Sequence, residues 1–338
     1  MARGSPVTPT RILTQAQVER LLELPATVAV VRDAFKAQAR GEVTMPSKVY
    51  LPLPHESDFR AMPAALARPP ICGIKWVNVH PANRARGLPT VMALIILNDP
   101  ATGVPLAVLD GLAITRLRTA AAAAVATEAL ALRTVRIGAL IGCGAQALPQ
   151  LQAMCLVRRL REVRVWGYAD GEAAAFCRRA RRHVAARLIP TDTIETAIRG
   201  AQVITTITPA RDPLIERRWV APGAHINAIG ADAPGKQELD PQILRHAVLV
   251  VDEREQAIHG GEINVPISQG LLKPESVTLT LGDVLLRKQP GRTRPDQITV
   301  FDSTGLAVHD IALGAEVFRR AHARRVGRTI RFFAPPAV

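Results

Sequence analysis

Apolar residues recur at helical spacing between residues 11 and 40, where Val18, Leu21 and Leu22 are followed by Val28, Val31 and Phe35. Ile12-Leu13-Thr14 leads into this segment and Gly41 stops it, so the pattern predicts helix up to that glycine. From Thr44 the rhythm shortens to extended runs over Lys48–Leu53, Phe59–Met62, Ile71–Val77 and Val91–Leu97. Turn formers separate them: Pro81-Ala82-Asn83, Gly87-Leu88-Pro89 and Asn98-Asp99-Pro100. Consecutive strands joined by turns predict an antiparallel or mixed sheet. Another strand, Pro105–Asp110, precedes an alanine-rich helix over Arg116–Leu132, and a domain boundary is expected inside or just before that helix.

Beyond Arg133 the order becomes strand, glycine turn, helix, strand. Val135–Ile141 reads as a buried strand, Gly142–Ala147 as a turn, and the following residues as helix to about Leu160. Strand Glu162–Gly167, helix Glu172–Arg187, the segment Ile194–Arg199 and strands Gln202–Ile207, His225–Ile229 and Ala247–Asp252 follow. This alternation predicts a parallel, doubly wound sheet. After Ile298–Phe301 a helix, Val308–Arg324, is expected to return to the first domain. The fold class is therefore α/β: a Rossmann-type doubly wound sheet over 117–305, and a discontinuous α+β domain made of 1–116 and 306–338.

Composition adds limits. At 338 residues and 48% hydrophobic, the chain has room for two cored domains. No apolar run exceeds the seven residues Val91–Leu97, so no membrane span is expected. Met1–Thr10 has one arginine and two prolines with no apolar core behind them, which predicts no signal peptide. Cys72, Cys143, Cys155 and Cys177 lack CxxC spacing, against a zinc site or disulfide framework and in favour of a reducing cytoplasm. The net charge of +14 is partly local, since residues 151–200 hold ten arginines against five acids. Arg178, Arg179, Arg181 and Arg182 crowd one stretch. With only 4% aromatics, stacking platforms for single strands are not expected, and the stretch reads as a solvated face without specific nucleic-acid binding.

Gly142-x-Gly144-x-x-Ala147, directly after a strand and opening a helix, is the strongest chemical signal. The first glycine makes the tight turn, the second admits a pyrophosphate to the backbone, and the small third residue lets helix and strand close up. Such a turn predicts a bound NAD or NADP. The second strand ends Val165-Trp166-Gly167, without the acid that grips the adenosine ribose of NAD. Its absence favours NADP, unless Asp170 reaches the ribose instead. Gly230 to Lys236 has phosphate-loop spacing, but Gln237 stands where Ser or Thr must hold magnesium, so that reading is rejected. Asp232 in this loop follows a strand at the ligand-binding end of the sheet, and reads equally as a turn-making acid. Lys48, Arg60 and Lys75 sit in strand-like segments: either they face solvent by alternation or they line a pocket for a substrate carboxylate. His259-Gly260-Gly261-Glu262 has no ligand partner at helical spacing, so no metal is expected. Cys143 reads as a small filler, not a nucleophile.

Taken together, several stretches resemble the ornithine cyclodeaminase/mu-crystallin family, and within it the archaeal-type alanine dehydrogenases. They are Met45-Pro-Ser-Lys-Val-Tyr-Leu51, Phe59-Arg-Ala-Met-Pro63, Lys75-Trp-Val-Asn78, Gly87-Leu-Pro-Thr-Val-Met-Ala93, Leu117-Arg-Thr-Ala120, Ile141-Gly-Cys-Gly-Ala-Gln146, His225 to Asp232, His259 to Val265, and Phe301-Asp-Ser-Thr-Gly305. The resemblance implies a homodimer built through the first domain and an active site in the cleft facing the Rossmann-type domain. It implies Lys75 and Asp232 as catalytic residues, with Lys48, Arg60 and Lys75 binding substrate. Thr90, Arg118, Thr119, Gly142, Gly144, Ala145 and Gln146 match cofactor contacts, and Ser303 and Thr304 match the loop flanking the nicotinamide. Gly167 departs from the many relatives that carry an acid there.

The chemistry implied is oxidation of a small L-amino acid. Asp232 accepts a proton from the amine, the α-hydrogen leaves as hydride, and water releases a 2-oxo acid and ammonia. Run backwards, the site reduces an imine. If the substrate's own distal amine attacks instead of water, the enzyme is a cyclodeaminase with recycled NAD. A third possibility is a noncatalytic NADPH-dependent binder like mu-crystallin, which the intact Lys75, Asp232 and Arg60 argue against. His259 to Glu262 resembles the dehydrogenase branch.

Overall fold

The computed structural model describes residues 9–333; the expectation of no signal peptide, made on Met1–Thr10, lies mostly outside them. The chain begins β1 (Thr10–Leu13), α1 (Gln15–Leu21), α2 (Leu24–Ala39), β2 (Val43–Thr44), β3 (Val49–Leu53), β4 (Ser57–Ala67), β5 (Pro70–Val79), β6 (Val91–Asn98), β7 (Pro105–Asp110) and α3 (Leu112–Leu130). It continues through β8 (Ile137–Ile141), α4 (Ala147–Val157), β9 (Glu162–Trp166), α5 (Glu172–Ala180), β10 (Arg187–Pro190), α6 (Ile194–Ile198), β11 (Val203–Thr206) and β12 (His225–Ala228). Then come α7 (Pro241–His246), β13 (Val248–Val251), α8 (Arg254–Gly260), α9 (Asn264–Ser268), β14 (Leu279–Thr280), α10 (Leu281–Leu285), β15 (Thr299–Asp302), α11 (Ala307–Ala323) and β16 (Arg328–Ile330). Two compact units result, Met1–Arg118 with Leu306–Val338, and Thr119–Gly305.

The first unit is an eight-stranded sheet in the order β16-β1-β7-β6-β5-β4-β2, with β3 on β4. Only β1 and β7 pair in parallel; every other pair is antiparallel. The helix expected over 11–40 is in fact a strand and two helices. Thr10–Leu13 is drawn into the sheet by β7, and the break at Leu22 and Glu23 is followed by Pro25 in the first turn of α2, where a missing N–H costs nothing. Val28, Val31 and Phe35 of α2, Ile95 and Leu97 of β6, and Ile311 and Val317 of α11 are buried. Gly73 lets α11 lie close on β5, since a Cβ there would sit 3.1 Å from Ile311 Cδ1.

The second unit is a wholly parallel sheet, β10-β9-β8-β11-β12-β15-β13-β14. Its first five strands have the order of the Rossmann fold, β15 then lies between β12 and β13, and the direction of winding reverses between β8 and β11. Ligands of such sheets bind outside that reversal, at the carboxyl ends of the strands, which is where Gly142 to Gln146 lies. The helix expected over Glu172–Arg187 ends at Ala180. A 3₁₀ turn follows, then β10, whose residues 187–190 pair along β9 from Glu162 to Val165. Alanines at 185 and 186 favour helix locally; sheet pairing overrides them. Arg178, Arg179, Arg181 and Arg182 are all exposed. No helix among the described residues is long and apolar enough to cross a membrane.

Candidate active site

Alternation decides the fate of the cations in the first unit. On β4 and β5, Arg60, Met62, Lys75 and Val77 share the buried face, so the solvent-facing reading does not hold for Arg60 or Lys75. The register sets Met62 opposite Lys75 and Ala61 opposite Val49; one step further along puts Lys48, just before β3, beside Met62. Lys75 is 1% exposed, and its Nζ lies 2.6 Å from Asp310 Oδ2 at the start of α11 and 3.4 Å from Thr115 Oγ1. The other Asp310 oxygen, Oδ1, takes Arg118 Nε at 3.1 Å. Arg60 donates from Nε and Nη2 to both oxygens of Asp58, at 2.9 and 3.0 Å, and lies over the Tyr50 ring.

Two buried cations, Lys75 and Arg118, therefore share the carboxylate of Asp310. Burial pushes the Lys75 ammonium down to about 7, the charges of Arg118 and Lys48 push the same way, and Asp310 opposes them. Burial alone would raise the Asp310 carboxyl, but Arg118 and Lys75 hold it below the ordinary range. A group that is half ammonium and half amine near neutrality both binds anions and moves protons. Asp310 carried no signal in the sequence beyond its place at a helix start, because its partners are about 190 and 235 residues distant.

In the second unit Gly142 has φ +113, a conformation open to glycine, and its N–H donates to Trp166 O at 2.9 Å. A Cβ on Gly144 would meet nothing within 4 Å, whereas one on Gly142 would press on Ile207 at 3.1 Å. Gly144 and Ala145 are exposed and Ala147 is fully buried against the sheet. Tight turn, open approach and close packing thus fall on the three positions that a dinucleotide requires, and the residues fit that group. Gln146 begins α4 with a buried Oε1 that has no protein partner among the described residues. Cys143 is a filler: burial, aided by the charge of Glu172, pushes its thiol up to about 12.

Asp232 sits in the loop after β12 and pairs with Lys236 Nζ at 2.7 Å. A Cβ on Gly230 would collide with Thr208 O and with Glu238 Oε2, so the loop is packed on protein at this position. Buried carboxylates hold it from behind. Glu238 accepts from Thr206 Oγ1, Thr208 N and Gly230 N, while Glu262 Oε1 accepts from the Glu238 and Leu239 N–H groups. Burial and the charge of Glu238 push the Glu262 carboxyl well above the usual carboxylate range. The motif ending at Glu262 therefore props up the Asp232 loop.

Ser303 and Thr304, at the end of β15, donate to Asp252 at 3.4 and 3.0 Å, and Gly305 N joins them at 2.7 Å. Thr119 is buried at the first residue of the unit. Thr90 is exposed in the first unit, its carbonyl accepting from His80 N. No group of three His, Cys, Asp or Glu side chains suited to a metal occurs among the described residues.

These features define a two-unit protein with a Rossmann-type dinucleotide fold and a buried cationic cluster on a separate mixed sheet. The sequence model of the ornithine cyclodeaminase/mu-crystallin family matches residues 8–325, and the chain belongs to that family. It is 46% identical over 325 residues to the alanine dehydrogenase of Archaeoglobus fulgidus, covering 96% of this chain and 99% of that one. An archaeal alanine dehydrogenase dimer with bound NAD superposes with TM-score 0.92 at 45% identity, covering 96% of this chain and 100% of the other. The pyrroline-2-carboxylate reductase of Thermococcus litoralis, in complex with NADH and L-proline, matches with TM-score 0.92 at 29% identity over 95% of this chain and 100% of the other.

Proposed function

We propose that the protein is a nicotinamide-dependent oxidoreductase of small L-amino acids, acting reversibly in the manner of an alanine dehydrogenase. The two buried cations Lys75 and Arg118 on the one carboxylate of Asp310 carry this reading, because the pair suits one further carboxylate, that of an amino acid. A bound nicotinamide supplies the acceptor for the α-hydrogen and its electron pair. Gly142, Gly144, Ala145 and Gln146 hold the pyrophosphate; Thr90, Arg118, Thr119, Ser303 and Thr304 complete the cofactor's contacts. Lys48 and Arg60 grip the substrate carboxylate, with Asp58 fixing the guanidinium plane. Asp232 takes the proton from the substrate amine. Lys75 takes the proton that water gives up as it adds to the imine carbon, and the adduct collapses to 2-oxo acid and ammonia.

Mixing the protein with NAD or NADP and L-alanine or L-ornithine, while following reduced cofactor and ammonia, tests this. Reduced cofactor and ammonia in equal amounts is the expected result. Ammonia from ornithine without net reduced cofactor is cyclodeamination and sinks the proposal. A second reading, reduction of a cyclic imine, is favoured by the likeness to the pyrroline-2-carboxylate reductase; it consumes reduced cofactor and releases no ammonia.

We also propose a homodimer through the first unit. The outer face of its sheet exposes Val49, Leu51, Trp76, Met92, Leu94 and Ile96, with Trp76 opposite Leu94 in the register. A contiguous apolar face of this kind marks an interface, and the similar archaeal structure is a dimer. Trp76→Glu combined with Leu94→Glu is expected to give monomers by light scattering; a variant that stays dimeric moves the interface elsewhere.

A further inference from the structure

We propose that Glu172 supplies, from the first turn of α5, the ribose-binding carboxylate that the end of β9 lacks, and that it selects NAD over NADP. The inference rests on the reading of the glycine turn as a dinucleotide site. In doubly wound folds the acid ending the second strand accepts hydrogen bonds from the adenosine ribose and repels a 2′-phosphate. Here that strand is β9, and the next residue is Gly167.

A Cβ built on Gly167 would lie 2.9 Å from Glu172 Oε2, 3.1 Å from Ala173 N and 3.1 Å from Cys143 Sγ. The space in which an acidic side chain at 167 would begin is therefore already taken by a carboxylate. Glycine at 167 does not leave the position without charge; it makes room for charge delivered from elsewhere.

The intervening turn explains the delivery. Gly171 has φ +73, Glu172 N donates to Ala169 O at 3.0 Å, and Ala169 N returns a longer bond of 3.4 Å to Glu172 Oε2. This closes the chain back on itself, so that α5 opens with its carboxylate beside the strand end. Cys143 is the middle residue of the Gly142-x-Gly144 turn, and the charge of Glu172 is felt at its thiol. The carboxylate thus stands between the glycine turn and the end of the second strand, where the ribose hydroxyls of a dinucleotide lie. Asp170, the other candidate, is exposed. Arg179 also reaches Cys143 electrostatically and is the cation that a 2′-phosphate would recruit, but it is exposed in the last turn of α5. A 2′-phosphate approaching β9 meets Glu172 first, and like charges brought together at close range repel strongly.

The test is titration of the full-length protein with NADH and with NADPH, followed by nicotinamide fluorescence, for wild type, Glu172→Gln and Glu172→Lys. Wild type is expected to bind NADH at least about tenfold more tightly than NADPH. Glu172→Gln, nearly the same shape without the charge, should bring the two affinities within about threefold, and Glu172→Lys should invert the order. A wild type that binds NADPH as well as NADH, or a Glu172→Gln variant that keeps the wild-type ratio, overturns the inference alone. A wild type that binds neither nucleotide overturns the dinucleotide reading itself, so the two failures are distinguishable.

Discussion

Replacing Lys75 by methionine is expected to lower kcat/KM for amino-acid oxidation by about 10²- to 10⁴-fold, the usual worth of a positioned proton-transfer group. Methionine keeps most of the buried stem, so the loss reports the amine and not a cavity. Binding of reduced cofactor, read by fluorescence, should stay near its wild-type value, because Lys75 is not among the residues proposed to contact the cofactor and Arg118 keeps its partner Asp310. The magnitude follows from the environment of the amine. A lysine at its ordinary pKa is almost wholly charged at neutrality and accepts no proton; burial and two neighbouring cations bring Lys75 to about 7, where both forms are populated. Activity within tenfold of wild type would assign the proton transfer to another group and leave Lys75 as a binding cation only.

Periodicity made most of the elements legible, and it failed where pairing with distant strands overrode local preference. Pro105–Asp110 is a strand with those bounds, because alternation and flanking turns agree there. Residues 187–190 were unreadable as β10, since an arginine- and alanine-rich stretch favours helix until β9 offers its edge. The site divided along similar lines. Gly142, Gly144 and Ala147 are legible because a turn, an open approach and a close contact each restrict residue type within six positions. Spacing along the chain left Lys75 and Arg60 ambiguous, as alternation says which residues share a face but not which face is buried. Asp310 and Asp252 were invisible for a plainer reason: each is defined by partners about 50 or more residues away, and a single carboxylate has no pattern. Glu262 had a motif but no role until its oxygen was seen to hold the Glu238 and Leu239 amides.

Asp310→Asn should cost about 3–5 kcal/mol of stability at pH 6, the usual loss when one partner of a buried ion pair is removed. The dependence on pH carries the argument. Lys75 ionises near 10.5 in the unfolded chain and near 7 in the fold, so its charge costs the native state most below pH 7 and nothing above the unfolded value. Asp310 offsets part of that cost. Without it the native pKa of Lys75 falls further, and below about 7 the variant loses the Lys75 attraction as well as the Arg118 one. Above about 7 the wild-type amine is itself neutral, so only the Arg118 partnership is lost. The difference in denaturant midpoint between variant and wild type is therefore expected to be larger at pH 6 than at pH 9, and the low-pH limb of amino-acid oxidation should move towards acid. A difference that is no larger at pH 6 than at pH 9, or a limb that does not move towards acid, would mean that Asp310 serves Arg118 alone and does not set the charge of Lys75.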